Sequence, residues 1–93
     1  MSEDLDRAIR DAAAVLKEEG AREVYLFGSL AKGRERPGSD IDLAVSGLPP
    51  ERFFRALGRV MEAVNVRVDL IDLDDDNPLV QFMREHGELR LVA

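Results

Sequence analysis

The sequence contains no cysteine and no tryptophan, and only 5% of its 93 residues are aromatic. Without cysteine, disulfide frameworks and cysteine-type zinc sites are excluded. No apolar run reaches the roughly 18 residues that a membrane-spanning helix needs. The first residues are acidic, where a secretory signal would be basic and then apolar. These absences predict a cytoplasmic protein that has no contact with membranes.

The composition that remains is typical of one folded domain. The chain is 45% hydrophobic and 34% charged, with seven glycines and four prolines, which is a globular profile rather than a disordered one. Its length predicts a single domain over residues 1–93. The formal charge of −6 has the wrong sign for neutralising a polyanion, so nucleic acid is disfavoured as a partner.

Hydrophobic periodicity predicts seven elements of secondary structure. In chain order they are a helix over 3–19 ended by Gly20, strands over 23–27 and 41–45, a helix over 50–64, a strand over 66–73, a helix over 78–86 and a final strand within 89–92. The four phenylalanines, Phe27, Phe53, Phe54 and Phe82, are assigned to the core, although Phe54 lies off the main stripe of its helix.

The order of these elements predicts the fold class. About ten residues of loop join the first two strands, which permits antiparallel pairing, whereas a helix separates the second and third strands, as in a parallel crossover. The expected structure is α+β (mixed α/β), a small mixed sheet with helices packed on it.

The segment after the first strand has the residues of a phosphate site. Gly28 allows the backbone to approach a ligand closely, and the amides around Gly28 and Ser29, with the serine hydroxyl, can donate to phosphate oxygens. The spacing is neither that of a Walker loop nor that of a dinucleotide fold. The nearby cations Lys32, Arg34 and Arg36 are read equally well as phosphate contacts or as a solvated loop.

Two carboxylates begin the second strand. Asp40 and Asp42 are two residues apart, so strand geometry directs both side chains to the same face. Because Ile41 and Leu43 indicate a buried strand, something must offset the repulsion between the two charges. Oxygen ligands favour Mg²⁺ or Mn²⁺, and these metals usually accompany phosphate chemistry.

This segment resembles the signature of the nucleotidyltransferase superfamily with the polymerase β-like fold. In that family a Gly-Ser turn is followed, after a loop, by Asp-x-Asp on the next strand. Here Gly28-Ser29 is followed by nine residues and then by Ser39-Asp40-Ile41-Asp42. The short chain is similar to the minimal nucleotidyltransferases of bacteria and archaea. The family's third carboxylate matches Asp69, with Asp72 as a competitor three residues later.

The resemblance implies a reaction and a site. It implies a transferase that uses ATP and Mg²⁺ (or Mn²⁺), and a small helical HEPN protein as partner in a toxin-antitoxin pair, with this chain as the antitoxin that transfers AMP. Lys32 stands where relatives often carry arginine, and so lacks the bidentate guanidinium fork. The implied metal and catalytic residues are Asp40, Asp42 and Asp69, and the implied nucleotide-binding residues are Gly28, Ser29, Lys32 and Ser39.

Two other functions stay open on the sequence. The chain could mask a partner sterically, with the nucleotide bound but not turned over. It could also be a regulatory domain of ferredoxin-like shape, which would not need its aspartates to converge. The acidic run 74–76 is interpreted as a solvated loop and helix start, and His86 as structural.

Overall fold

The computed structural model describes residues 3–28, 40–75, 78–86 and 89–93. Within these ranges the chain has three α-helices and four strands, in the predicted order. They are α1 (Glu3–Glu18), β1 (Glu23–Phe27), β2 (Ile41–Ser46), α2 (Phe53–Ala63), β3 (Val68–Asp72), α3 (Pro78–His86) and β4 (Arg90–Leu91). The predicted helix over 50–64 begins with a 3-10 turn, Pro50–Arg52, and the predicted strand over 66–73 is shorter than expected.

The four strands form one mixed sheet in the order β3-β2-β1-β4. β1 is antiparallel to both β2 and β4, whereas β2 and β3 are parallel across the α2 crossover. The expected α+β class is therefore confirmed, as are the antiparallel first pair and the parallel second pair. Because β1 ends where β2 and β3 begin, one end of the sheet brings together the residues that follow β1 and those that start the other two strands.

Because side chains alternate between the two faces along each strand, the sheet has one apolar layer on each face. One face of the sheet carries Val24, Leu26 and Leu43, which are fully buried beneath α1 and α2. On the other face Ala44 packs with Val80 of α3, and this second cluster is smaller. The larger layer holds the main core, so the second face has room for polar side chains at the end of the sheet.

Charges join α1 to α2 at the edge of the main core. Glu19, whose side chain is 7% exposed, accepts a hydrogen bond of 2.8 Å at Oε2 from Arg59 Nη1. Its Oε1 lies 3.3 Å from Arg55 Nε without the alignment of a hydrogen bond, so that contact is a charge attraction only. Arg52 also donates to the Glu19 carbonyl oxygen over 3.2 Å. A buried carboxylate is thus compensated by cations of α2.

The assignment of all four phenylalanines to the core is wrong for two of them. Phe54 and Phe82 are 81% and 60% exposed, so they lie outside the core. Phe27 and Phe53 are half-buried. Phe54 precedes the buried residues Ala56 and Val60 of α2 by two and six positions, offsets that put it on the side of the helix away from the sheet. The part of the chain that the structure describes contains no helix that is long and apolar enough to span a membrane.

Candidate active site

The register of the parallel strands places two aspartates side by side. Asp42 of β2 pairs with Asp69 of β3, and residues paired across neighbouring strands point to the same face. Strands lie roughly 4.8 Å apart, so these carboxylates face each other at short range. The face is the one opposite to the main core, because the alternate residues Ile41 and Leu43 are fully buried under the helices.

Asp40 reaches the same face from the residue just before β2. The backbone amide of Ile41 donates to the Arg67 carbonyl oxygen over 2.9 Å, which extends the β2–β3 pairing back to the level of Asp40. Because Asp40 precedes Asp42 by two residues, strand alternation directs both side chains to one side. Their carboxylates therefore belong to the same polar face as Asp69.

Asp72, the competitor for the third carboxylate, lies elsewhere. It pairs with Val45, a fully buried residue on the face opposite to Asp42. Its Oδ1 accepts a hydrogen bond of 2.9 Å from the backbone amide of Asp74, so it closes the turn after β3. The structure therefore places Asp69, and not Asp72, next to Asp42.

Gly28 brings the backbone onto the Asp42 carboxylate. It follows Phe27, which pairs with Asp42 across the antiparallel strands. Its φ of 75° is in the left-handed region that favours glycine. A Cβ built on Gly28 would overlap Oδ2 of Asp42 and lie 3.3 Å from its Cγ. A glycine is thus required both by the backbone conformation and by the close approach.

Burial and neighbouring charge both act on Asp42. Its partial burial raises the pKa of its carboxyl above the ordinary value of 3.8, and the charge of Asp69, a hydrogen bond with Asp69 and the charge of Asp40 raise it further. The negative form of Asp42 is therefore disfavoured, and a bound cation would relieve this cost. Carboxyl groups whose pKa is shifted by burial and by neighbouring charges are often found at functional sites.

Among the described residues, Arg67 is the cation that contacts this face, and it was not predicted from the sequence. Its Nε lies 3.9 Å from an oxygen of Asp40 and 3.9 Å from an oxygen of Asp69, while its side chain is 74% exposed. Its position two residues before Asp69 was the available signal, because strand alternation places both on one face. Its guanidinium offsets part of the charge of the two carboxylates.

The carboxylates share a face but are not gathered around one point. Within the described ranges no three His, Asp or Glu side chains are close enough together to hold a metal ion. The guanidinium of Arg67 lies at equal distance from Asp40 and Asp69, 3.9 Å from an oxygen of each. The donor set itself, all carboxylate oxygens, suits hard cations such as Mg²⁺ or Mn²⁺.

Some predicted site residues lie outside the described residues. These are Ser29, Lys32 and Ser39, together with Arg34 and Arg36. Of the predicted nucleotide-binding residues, only Gly28 is described. In the acidic run, Asp74 accepts a 2.7 Å hydrogen bond from the backbone amide of Gly47, so it has a structural role.

The fold is that of a nucleotidyltransferase. A family model described as polymerase beta, nucleotidyltransferase, matches residues 11–89. The chain therefore belongs to the polymerase beta nucleotidyltransferase family. No curated protein matches it in sequence.

Solved structures agree with this membership. A minimal nucleotidyltransferase is 27% identical, with a TM-score of 0.67, and the match covers 97% of this chain and 95% of the other. A toxin-antitoxin crystal structure with AMP-PNP is 26% identical, with a TM-score of 0.66, over 86% of this chain and 69% of the other. The toxin-antitoxin MntA-HepT is similar in fold, at 22% identity and a TM-score of 0.62, over 90% of this chain and 69% of the other.

Proposed function

We propose that this protein is a Mg²⁺-dependent nucleotidyltransferase that transfers AMP from ATP to a hydroxyl of a protein partner. The partner is a small helical protein of the HEPN type, and this chain is the antitoxin of the pair. The observation that supports the reaction most directly is the pairing of Asp42 with Asp69 beside Gly28, at the end of the sheet.

The proposed roles follow from position and exposure. Asp40, Asp42 and Asp69 would hold the divalent cation, which when bound offsets the charge of the triphosphate and of the leaving pyrophosphate. The acceptor oxygen forms a bond to the α-phosphorus, and the bond from that phosphorus to the pyrophosphate oxygen breaks. Asp69, half-exposed at the edge strand, accepts the hydroxyl proton. Gly28 leaves space for the phosphates, and Ser29, Lys32 and Ser39 bind them.

Two lines of support favour a protein acceptor. The net charge of −6 disfavours an RNA acceptor, whereas it favours a basic protein surface. Two of the similar solved structures are toxin-antitoxin structures, one of them with AMP-PNP. The cytoplasm, where ATP and Mg²⁺ are abundant, is the compartment proposed for this activity.

The test is transfer of labelled AMP to the protein encoded beside this chain's gene. The two are co-purified and incubated with labelled ATP and Mg²⁺, and the partner's modified residue is identified by mass spectrometry. We expect AMP on a tyrosine or another hydroxyl side chain. Asp42→Asn should lower the transfer rate by at least 10²-fold, because it removes a carboxylate from the metal site. Asp11→Asn, at an exposed position of α1 outside the site, is the matched control and should leave the rate unchanged.

Steric masking is the second candidate function, and the exposed apolar side chains of α2 favour it. A chain that only covers its partner would form the complex without transferring AMP, and Asp42→Asn would then leave partner inhibition intact. Transfer to a small molecule in preference to the partner would contradict both proposals.

A further inference from the structure

The outer side of α2 carries apolar residues that do not face the sheet. Phe54 and Met61 are 81% and 58% exposed, and Leu57 between them is half-buried. Together with Gly58 they recur at helical spacing along one side of the helix. We refer to these four residues as the outer α2 stripe. Large apolar side chains grouped on a helix face indicate a surface for a partner.

Nothing in the described part of the chain requires a glycine at position 58. It lies within α2, where glycine is less favourable than alanine because it loses more conformational freedom on folding. Apart from chain neighbours and the backbone of its own helix, no described atom lies within 4 Å of the place where a Cβ would be. A glycine between exposed Phe54 and Met61 instead allows another backbone to approach the helix closely.

The stripe meets an open groove at Phe54. The groove, of about 580 Å³, runs between the start of α2, the end of β3 and the start of α3, where Leu79 is 58% exposed. Its apolar lining includes Leu70 and Ile71 of β3. One large apolar side chain from a partner would fit such a recess between Phe54 and Leu79.

The rim of the groove is acidic. Asp72, Asp74 and Asp75 line it, and Arg84 lies 4.0 Å from Asp74. A second copy of this chain, placed symmetrically on the groove, would bring these acids against their own equivalents. Like charges so opposed disfavour that occupant, whereas a basic segment is favoured.

We propose that the outer α2 stripe and the groove bind one amphipathic helix of the partner protein. The helix packs against α2 at Gly58, inserts an apolar side chain beside Phe54 and places lysine or arginine against the acidic rim. The groove lies at the end of β3, whereas Asp69 lies at its start, so binding leaves the aspartate face open. This inference rests on the proposed partnership with a protein but not on the transfer of AMP.

The experiment measures affinity and stability on the same variants. The full chain is titrated calorimetrically with the protein encoded beside its gene, and each variant is melted alone. Gly58→Ala should raise the melting temperature of the chain alone by about 4 °C, since alanine is the better helix former. The same substitution should weaken binding about tenfold, because the added methyl separates the two helices. Phe54→Ser should weaken binding about thirtyfold, as expected for an aromatic anchor.

The control is Phe82→Ser on α3. Phe82 is 60% exposed, its ring centroid is 5.1 Å from that of His86, and it does not line the groove. Its substitution should change binding by less than about twofold. High salt should weaken binding of the unsubstituted chain by slowing association.

Several outcomes would overturn the inference. A complex that tolerates both Phe54→Ser and Gly58→Ala would show that the partner binds another surface, whatever the result of the AMP assay. Dimers of the chain alone that Phe54→Ser dissociates would assign the groove to a second copy. The absence of any complex would overturn the partner and the surface together. If the variants show the expected changes in affinity but AMP is not transferred to the partner, only the proposed function is contradicted.

Discussion

Two carboxylates of this protein, Glu19 and Asp42, differ in the charges that surround them. Glu19 is the more deeply buried, and Arg55 and Arg59 of α2 compensate it. Asp42 is half-buried, yet its closest charged neighbours are Asp69 and Asp40, which raise its pKa together with burial. Burial alone therefore does not distinguish an acid proposed to bind a cation from a structural one. The sign of the neighbouring charge does, because only an uncompensated acid gains from binding a cation.

Among the positions tested, substitution of Gly28, where the backbone approaches Asp42, should lower stability the most. Gly28→Ala should destabilise the chain by about 2–3 kcal/mol, because alanine is disfavoured at a positive φ and its Cβ overlaps the Asp42 carboxylate. Urea unfolding measures the loss. The double substitution with Asp42→Ala should recover part of it, since the overlap is removed while the unfavourable φ remains. Equal stability of Gly28→Ala and the unsubstituted chain would contradict the close approach.

The compensated acid can be tested with the smallest chemical change. Glu19→Gln keeps the size of the side chain but removes its charge, so Arg55 and Arg59 lose their ion pair with residue 19. We expect a loss of about 1–2 kcal/mol in the free energy of unfolding, below the roughly 1.5–3 kcal/mol usual for a hydrogen bond to a charged group, because the arginines are partly exposed. Glu18→Gln is the matched control. Glu18 is 63% exposed and also pairs with Arg59, and its loss should cost less than about 1 kcal/mol. If both substitutions lower the free energy of unfolding equally, the burial of Glu19 adds nothing to the stability that its ion pairs provide.

Site residues that lie close together in the chain were easier to predict than those that only the fold brings together. Gly28, Asp40 and Asp42 are close in the chain, and the resemblance to the family signature predicted that they share a site. The choice between Asp69 and Asp72 depends on the register of β3 against β2, a contact between distant segments that local patterns do not determine. The resemblance favoured Asp69 with Asp72 as a competitor, and the paired strands place Asp69 on the same face as Asp42.

The fold was predicted better than its surface. Within the described residues, apolar periodicity predicted the three α-helices and four strands because the core faces of α1, β1 and β2 are nearly continuous. The same reasoning failed for Phe54 and Phe82, since it treats a large apolar residue as buried wherever it occurs. Arg67 was missed because an exposed arginine is ordinary, and only the positions of Asp40 and Asp69 make it informative.

The smallest expected effect is on the melting temperature, and it compares Asp42 directly with Glu19. Asp42→Asn is the same chemical change as Glu19→Gln, but without metal it should raise the melting temperature, because it removes a charge that its neighbours repel. The sign follows from the pKa. A carboxyl whose pKa is raised by folding destabilises the folded chain once it is ionised, and this cost disappears when both states are protonated. The gain from Asp42→Asn should therefore be largest near pH 7 and shrink as the pH falls towards 3.8. Thermal melts in EDTA across this range measure it. A gain that stays constant with pH would show that packing, and not charge, separates Asp42 from Glu19.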